Sequence, residues 1–509
     1  MSPDALLDQD FGLIADLIHG YAAERPQHPA LIHDGRVLTY GELDGLMDRF
    51  AASLQRDGIQ AGEVISICAA SCVEYGVIFL GALRAGVAVA PLAPSSTPQA
   101  LATMLADCGA KILFLDDAIR AALVGQELPA ALRQVPMSMQ GWLAPEGAQP
   151  RPVQIDPGAP FNIIYSSGTT GTPKGIVQSH RMRWAHVHRA ALARYDRTAV
   201  TICSTPLYSN TTLVSFLPTL ARGGTAVLMA KFDALKFLQL AQRHGATHAM
   251  LVPVQYQRIM DLPEFDGFDL SAFRMKFCTS APFGAALKAD VLKRWPGGLT
   301  EYYGMTEGGG SCILYAHEFP DKLHTVGQPA PGHEIRLIDE QGREVPRGEI
   351  GEIVGRSPAS MMNGYFNQPG KTSEAEWRDS AGNRYIRTGD VGRFDEQGFL
   401  TLLDRRKDMI ISGGFNIYPS DLESVLGKHE AIKEAAVVGV PSRQWGETPV
   451  AFVMLKPAHT ATAEEIRAWA NERLGKTQRL ASVEIRDVLP RSAIGKVLKR
   501  ELREGYGRK

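Results

Sequence analysis

The first 160 residues alternate between short apolar runs and stretches with the spacing of amphipathic helices. Residues 64–69 form a run of the kind found in buried strands, whereas residues 39–57 and 75–84 place their apolar side chains at helical intervals. Residues 134–160 are rich in Pro, Gln and Gly, which predicts a connecting loop. The alternation favours helices packed on a mostly parallel sheet, so we expect an α/β fold.

The alternation resumes from about residue 199 to residue 331. From residue 334 to about residue 403, short runs are divided by Gly, Pro and Asp, as in a small β-subdomain. Five charged residues, 404–408, then precede a last segment with strands and helices of its own. We predict a large N-terminal domain over residues 1–403, a hinge at 404–408 and a small α+β C-terminal domain over residues 409–509.

Composition gives no sign of a membrane span or of nucleic-acid binding. The formal charge of the 509-residue chain is −1, so it has no overall attraction to polyanions. The longest apolar stretch, residues 77–91, is interrupted by Arg84 and is too short to span a bilayer. Six scattered cysteines without a C-x-x-C pair predict buried thiols rather than a zinc site. The acidic N-terminus lacks the pattern of a signal peptide, and a cytoplasmic location is expected.

Residues 165–175 have the composition of a loop that binds phosphates. They follow the apolar run 161–164 and combine three glycines and five Ser or Thr residues with Lys174. Glycine lets backbone N–H groups approach phosphate oxygens, and the hydroxyls and the lysine add further donors. Pro173 before the lysine and Gly175 after it exclude a Walker A loop. The alternative is a polar surface turn.

This stretch resembles the signature of the adenylate-forming (AMP-binding) superfamily, which includes acyl- and aryl-CoA ligases, peptide-synthetase adenylation domains and luciferases. The resemblance extends over nearly the whole chain and favours the CoA ligase branch. Further motifs follow in the family's order: Pro206-Leu207-Tyr208-Ser209-Asn210, Ser280-Ala281-Pro282, Glu301-Tyr302-Tyr303-Gly304-Met305-Thr306-Glu307, Thr388-Gly389-Asp390 and Pro490-Arg491-Ser492-Ala493-Ile494-Gly495-Lys496.

The resemblance implies which residues bind ATP or AMP. Tyr303 would stack on adenine, and an aromatic face does suit a purine. Glu307 would bind Mg²⁺, which prefers oxygen ligands. Taken singly, these residues are also common in turns and helix caps. The full set for ATP or AMP is Ser166, Ser167, Gly168, Thr169, Thr170, Lys174, Ser280, Ala281, Tyr303, Thr306, Asp390, Arg405 and Lys496.

The implied chemistry needs charge neutralisation rather than a general base. A carboxylic acid is already ionised at pH 7, and the difficulty is to bring this anion to the α-phosphorus of ATP. Lys496, Thr170 and a magnesium ion on Glu307 are therefore the predicted catalytic groups. The products of this step would be an acyl-adenylate and pyrophosphate.

In a second step, the resemblance implies rotation of the C-terminal domain about Lys407 and transfer of the acyl group to CoA. Gly413 and Gly414 would face the pantetheine arm, although paired glycines are also ordinary turn formers. Trp445 and Arg479 match positions that contact the CoA nucleotide in similar aryl-CoA ligases. A carrier-protein thiol is the alternative acceptor, and the oligomeric state is left open, with a homodimer among the options.

Alignment with the family predicts the lining of the acid pocket: Tyr208, Asn210, Thr211, Ser215, Tyr302, Gly309 and Gly310. Ser209 stands where many members have histidine. The aligned positions contain no aspartate for a substrate ammonium and no arginine for a second carboxylate. We therefore expect a monocarboxylic aryl or arylalkenoic acid, then a medium-chain fatty acid, then a dicarboxylate. The motifs are also compatible with an acyl-AMP ligase serving a carrier protein and with a non-catalytic AMP-binding switch.

Overall fold

The structure is a computed structural model that describes residues 1–166, 173–405, 408–412, 415–442, 445–457, 459–475, 478–491 and 495–507. The chain forms two compact units. The first contains Met1–Leu323, Ala330–Glu334 and Arg356–Ile386, and the second contains His324–Pro329, Ile335–Gly355 and Arg387–Lys509. The predicted α/β class is confirmed, with mixed sheets. No helix among the described residues has the length and apolarity to cross a bilayer.

Helices α1 to α15 cover, in order, Pro3–Leu7, Ile14–Glu24, Tyr40–Arg56, Val73–Arg84, Pro98–Cys108, Asp117–Ala122, His180–Arg189, Asn210–Ala221, Ala234–His244, Pro253–Met260, Ala285–Arg294, Pro369–Glu374, Pro419–Leu426, Ala463–Arg473 and Lys499–Gly505. Strands β1 to β26 cover, in order, Pro29–His33, Arg36–Thr39, Val64–Cys68, Ala88–Pro91, Ile112–Leu115, Arg133–Pro136, Pro160–Ser166, Lys174–Ser179, Val200–Cys203, Thr225–Leu228, His248–Leu251, Met275–Cys278, Gly298–Tyr303, Cys312–Tyr315, Gln328–Pro329, Glu334–Ile338, Gly351–Arg356, Gly364–Tyr365, Glu376–Arg378, Arg384–Phe394, Leu400–Arg405, Ile410–Ser412, Phe415–Ile417, Ile432–Ser442, Gly446–Leu455 and Ser482–Ile485.

The first unit is built on two mostly parallel sheets. One contains the strand order β14-β13-β12-β11-β9-β10-β1-β2, in which β14 and β2 are antiparallel to their neighbours. The other has the order β18-β8-β7-β4-β3-β5-β6, with β8 and β18 antiparallel at one edge. All five residues of β3 are buried, as expected for a parallel strand covered on both faces.

Local sequence signals set the ends of several helices in this unit. Helix α3 begins with a capping box, in which Thr39 and Glu42 each accept a hydrogen bond from the other residue's backbone N–H. Helix α5 has Thr97 as its N-cap and Pro98 in its first turn, and it ends at Gly109 in the left-handed conformation. A large apolar core is made by α2, α3, α4 and α8 with strands of both sheets.

The second unit contains two smaller sheets. In one, β16, β17 and β20 lie in order and β21 pairs with the second half of β20. In the other the order is β23-β22-β25-β24, and β26 lies parallel to β25. Alternate residues of β24 and β25 enter two different apolar clusters, so both faces of this sheet are covered. This double burial explains why the central residues of both strands, 435–440 and 450–455, are apolar.

The compact units differ from the predicted domains in one respect. Residues 324–329, 335–355 and 387–403 group with the C-terminal segment, whereas the sequence placed them before the hinge. Lys407, the predicted pivot, lies outside the described residues. The hinge at 404–408 and the boundaries at 403 and 409 stay predictions.

Candidate active site

The predicted phosphate loop joins two antiparallel strands of the first unit. The register of β7 and β8 pairs Ser166 with Lys174, so the loop leaves and re-enters the sheet at one point of its edge. Gly175 is needed beside it, because a Cβ there would lie 2.9 Å from Ile163 Cγ2. The tip residues that were assigned to ATP, Ser167, Gly168, Thr169 and Thr170, lie outside the described residues.

Strand β18 connects the base of this loop to the predicted metal ligand. Tyr365 on β18 donates a hydrogen bond from its hydroxyl to Glu307 Oε1 at 2.9 Å. The Nζ of Lys174 lies 4.9 Å from the centre of the Tyr365 ring. Met362 also donates its backbone N–H to the Glu307 carbonyl oxygen at 2.8 Å. Lys174 and Glu307 are therefore both positioned by Tyr365, a residue that the motifs did not identify.

A buried polar network lies beneath Thr306. The Gln178 amide donates to the Thr306 carbonyl oxygen at 2.6 Å and to Asn210 Oδ1 at 3.5 Å. Its carbonyl oxygen accepts hydrogen bonds from Asn162 and from Arg183. Arg183 is 1% exposed, and its burial lowers its pKa to about 9, so it remains a cation at pH 7. The network holds the backbone of the predicted ATP-binding loop at Thr306. The hydrogen-bond acceptors around the buried positive charge of Arg183 are neutral amides.

The two segments predicted to flank the reacting groups contact each other. Thr211 Oγ1 and Ser280 Oγ are hydrogen-bonded at 2.6 Å. Ser280 has a φ of 80°, which a residue other than glycine adopts rarely and at a cost. Just before it, the Thr279 hydroxyl donates to the Tyr302 carbonyl oxygen at 2.9 Å. These contacts hold Ser280 and the half-buried Ala281 at the ends of β12 and β13.

The start of helix α8 places the next group of predicted acid-binding residues. Ser209, found instead of the family's histidine, is the N-cap of α8 and accepts a hydrogen bond from the Thr211 N–H at 3.3 Å. Tyr208 is half-buried just before it, and burial raises the pKa of its hydroxyl. Ser215 is 1% exposed and donates to the Thr212 carbonyl oxygen at 3.0 Å, so its hydroxyl is used within the helix.

The loop after β13 requires glycine for a steric reason. Gly308 has a φ of 72°, and a Cβ at this position would lie 1.8 Å from the Ser360 carbonyl oxygen. That oxygen accepts the N–H of Gly309 at 3.1 Å, and both Gly309 and Gly310 are buried. Tyr303 and Tyr302 stand at the end of β13, half-buried, with Tyr302 packed against Phe277 at a ring distance of 5.8 Å.

Arg189 is a residue that the aligned pocket positions omitted. It ends helix α7, donates to Ser360 Oγ at 2.8 Å and interacts electrostatically with Tyr302. The expectation of a monocarboxylic acid relied on the lack of an arginine among the aligned pocket residues. Arg189 was not in that set. Its partners Ser360 and His333 come from distant segments, so no local pattern in the sequence marks Arg189.

In the second unit, β20 and β21 bring the predicted ribose ligands together. Asp390 lies opposite Arg405 in the antiparallel register. The Thr388 hydroxyl accepts the N–H of Asp390 at 3.0 Å and donates to the Ile353 carbonyl oxygen at 2.9 Å. Thr388 therefore fixes the turn that carries the Asp390 carboxylate.

Lys496 lies on a loop that is closed by backbone pairing. Arg491 and Val497 form a β-bridge, and Arg491 donates to the Gly495 carbonyl oxygen at 2.7 Å. An ion pair between Arg491 and Glu434 anchors this loop to β24. The half-buried Lys496 thus lies between Gly495 and Val497, both of which Arg491 contacts.

Of the residues predicted to bind CoA, Gly413 and Gly414 lie outside the described residues. Trp445 is 50% exposed and Arg479 is also exposed, so both can reach a ligand at the surface. Leu480, where similar enzymes often have proline, donates its N–H to Asn471 Oδ1 at 2.7 Å. Proline has no N–H and could not make this bond.

Comparison with known proteins identifies the family of the chain. The model of AMP-binding enzymes matches residues 19–366, and that of the AMP-binding enzyme C-terminal domain matches residues 421–496. The chain belongs to the AMP-binding, adenylate-forming enzymes. It is an acid–thiol ligase of the AMP-forming acyl-CoA synthetase branch, as the motifs predicted.

Individual relatives match along their whole length. The chain is 33% identical to a feruloyl-CoA synthase of Amycolatopsis sp over 490 residues, covering 95% of this chain and 96% of the relative. It is 30% identical to the fatty acid–[acyl-carrier-protein] ligase ScoC of Streptomyces coeruleorubidus over 500 residues, covering 96% and 95%. The crystal structure of ATP-bound MatB from Rhodopseudomonas palustris superposes with a TM-score of 0.86 at 29% identity, covering 97% of this chain and 99% of that one.

Proposed function

We propose that this ligase adenylates an aryl or arylalkenoic acid with ATP and Mg²⁺ and then transfers the acyl group to CoA, in the cytoplasm. The observation that carries the adenylation step is the contact series Lys174, Tyr365 and Glu307 at the base of the phosphate loop. Tyr365 would thus hold both Lys174, a cation for phosphate, and Glu307, a carboxylate for a metal.

Glu307 fits the role of a magnesium ligand. Its Oε1 accepts the Tyr365 hydroxyl, and the described residues give Oε2 no hydrogen bond. No group of three or more His, Cys, Asp or Glu side chains in the described part of the chain could hold a metal. One carboxylate is the donor set expected for Mg²⁺, which keeps several waters and binds substrate phosphates. Bound Mg²⁺ would supply neutralisation of phosphate charge.

Other residues keep the roles that the family resemblance gave them. Thr170 and Lys496 would stabilise the charge that develops on the α-phosphate, and Asp390 with Arg405 would hold the ribose. Gly413, Gly414, Trp445 and Arg479 would contact CoA after rotation about Lys407. These assignments are part of the proposal.

Aromatic groups support the choice of acid. Tyr302 packs against Phe277 with the two rings tilted, and Tyr208 stands half-buried just before α8, so a flat ring would meet aromatic side chains. The name of the feruloyl-CoA synthase relative also indicates an arylalkenoic acid. Similarity to ScoC favours one rival, an acid–carrier-protein ligase.

The test is a panel of benzoic, phenylalkenoic and medium-chain fatty acids with the purified protein. Acid-dependent exchange of pyrophosphate into ATP measures adenylation, and thioester formation is measured with free CoA and with a phosphopantetheinylated carrier protein. We expect exchange with the aromatic acids and thioester with CoA. Exchange with fatty acids alone would refute the acid class, and thioester on the carrier alone would refute the acceptor. AMP binding without exchange for any acid would show a non-catalytic switch.

A further inference from the structure

Arg189 is joined to the wall of the predicted acid pocket through two hydrogen-bond partners. It donates to Ser360 Oγ at 2.8 Å and contacts His333 Nε2 through its other terminal nitrogen. Ser360 in turn accepts the Gly309 N–H through its carbonyl oxygen at 3.1 Å. His333 Nδ1 accepts the Ser311 N–H at 3.0 Å. Ser360 and His333 thus hold the segment that contains Gly309 and Gly310, which follows β13 and belongs to the predicted pocket.

The contact between Arg189 and His333 brings two donors together. Burial lowers the pKa of His333 to about 4, so its ring is neutral at pH 7. A neutral imidazole has one acceptor nitrogen, and Nδ1 is used by the Ser311 N–H. The proton is therefore on Nε2, where it faces an N–H of the guanidinium. The His333 ring therefore adds one N–H donor beside those of the Arg189 guanidinium.

The charge of Arg189 is not balanced by the protein. Within the described residues no carboxylate lies in ion-pair distance of Arg189, and the group whose field acts on it is Tyr302. Burial lowers the pKa of Arg189 and that of the nearby His186, which also experiences the fields of Arg189, Arg183 and His333. A partly buried cation without a counter-ion is costly, and an anionic ligand would remove that cost.

Two more polar groups beside Arg189 lack partners in the described part of the chain. The Nδ1 of His186 is buried and has no hydrogen bond. The Tyr302 hydroxyl makes no hydrogen bond to the described residues, and its side chain is half-buried rather than enclosed. Tyr302 is a predicted pocket residue, and both it and His186 lie close enough to Arg189 to interact with it electrostatically. A ligand oxygen there would meet donors from several sides.

We propose that Arg189, with His333 and Tyr302, binds a second carboxylate of the substrate, at the end remote from the carboxylate that reacts with ATP. This inference rests on the proposed function and narrows its substrate class to aryl or arylalkenoic dicarboxylic acids. The substrate carboxylate that reacts with ATP would lie near Thr306 and Glu307. The cluster of Arg189, His333 and Tyr302 is connected instead to Gly309, through Ser360. A guanidinium matches the bidentate geometry of a carboxylate, and the charged hydrogen bonds it makes are the strong ones.

The experiment compares matched acids in wild type and in two variants of one helix. The acids are cinnamic acids that carry a carboxyl, a hydroxyl or a methyl group in the para position. Arg189→Gln keeps a donor and removes the charge, and Arg181→Gln is the control, because Arg181 is exposed on the same helix. The readout is kcat/KM for acid-dependent exchange of pyrophosphate into ATP. ATP binding without acid and the thermal midpoint show whether each variant folds.

We expect wild type and Arg181→Gln to prefer the carboxyl acid, and Arg189→Gln to lose about 10- to 100-fold on that acid through KM while its rate on the methyl acid is unchanged. Equal wild-type rates on the carboxyl and methyl acids would overturn the inference and leave the proposed function intact. An equal loss on all three acids in a folded Arg189→Gln protein would show a merely structural role. No exchange with any acid in wild type would refute the proposed function as well.

Discussion

Replacing Tyr365 by phenylalanine tests the support on which the proposed adenylation site rests. The substitution removes one hydroxyl, which donates to Glu307 Oε1 at 2.9 Å, and keeps the ring that lies 4.9 Å from Lys174 Nζ. Tyr365 packs with Ile176, Met362 and Ile386, and phenylalanine fills the same volume. The fold and the position of Lys174 should therefore be preserved.

The expected effect of Tyr365→Phe follows from the strength of one charged hydrogen bond. Such bonds contribute roughly 1.5–3 kcal/mol, and each 1.36 kcal/mol is a factor of ten in rate. If the bond holds Glu307 in its metal-binding orientation, kcat/KM for pyrophosphate exchange should fall by about 10- to 150-fold. The Mg²⁺ concentration for half-maximal rate should rise, because the Glu307 carboxylate would no longer be fixed.

Two comparisons make this prediction specific. Tyr365→Leu also removes the ring and hence a cation–π contact of roughly 0.5–2 kcal/mol, so it should bind ATP more weakly than Tyr365→Phe. Glu307→Gln should abolish the effect of Tyr365→Phe on the Mg²⁺ dependence, because the two changes act through one bond. An exchange rate within twofold of wild type and an unchanged Mg²⁺ dependence for Tyr365→Phe would refute the reasoning.

Three further predictions concern separate features. Gly308→Ala should abolish exchange and lower the thermal midpoint, since its Cβ would lie 1.8 Å from the Ser360 oxygen, whereas Gly245→Ala, at φ 57° with open space, should cost only about 1 kcal/mol. Lys496→Ala should reduce adenylation by about 100- to 1000-fold and spare thioester formation from a preformed acyl-adenylate; equal loss of both would refute rotation of the C-terminal domain between the two steps. Burial lowers the pKa of His248 to about 4 from 6.5, so the native state binds fewer protons between these values and loses stability as pH falls. Relative to His248→Gln, the wild-type free energy of unfolding should drop by about 1.4 kcal/mol per pH unit in that window in urea titrations, and a constant difference would contradict this sign.

Much of the fold was predictable because buried parallel strands appear in the sequence as continuous apolar runs. The run at residues 64–69 contains β3, and the amphipathic stretch 39–57 contains α3 between its capping residues. Strand β24 extends over Ile432–Ser442, beyond its apolar residues 435–440, because pairing with β25 continues to Glu434 and Ser442. The sequence of β24 does not show that β25 is its pairing partner.

The site was predictable only where its residues are consecutive in a motif. Lys174 and Glu307 were identified by their neighbours in sequence, whereas Tyr365 reaches them because β18 pairs with β8. Arg189 was missed for the same reason, since Ser360 and His333 come from distant loops. A residue whose role depends on long-range pairing has no local pattern to reveal it.

Helix α7 connects these observations through charge. Arg183 and Arg189 are two cations on this helix, and their described partners are neutral amide, hydroxyl or imidazole groups rather than carboxylates. A unit charge about 10 Å from an anion contributes roughly 1.7 kcal/mol at an effective dielectric constant near 20, and Arg183 would act in this way on the anionic reactants. Neutral acceptors orient the cations without cancelling their field, whereas a carboxylate partner would cancel most of it. The buried amides Asn162 and Gln178, which hold Arg183, therefore belong to the proposed anion-binding site together with that arginine.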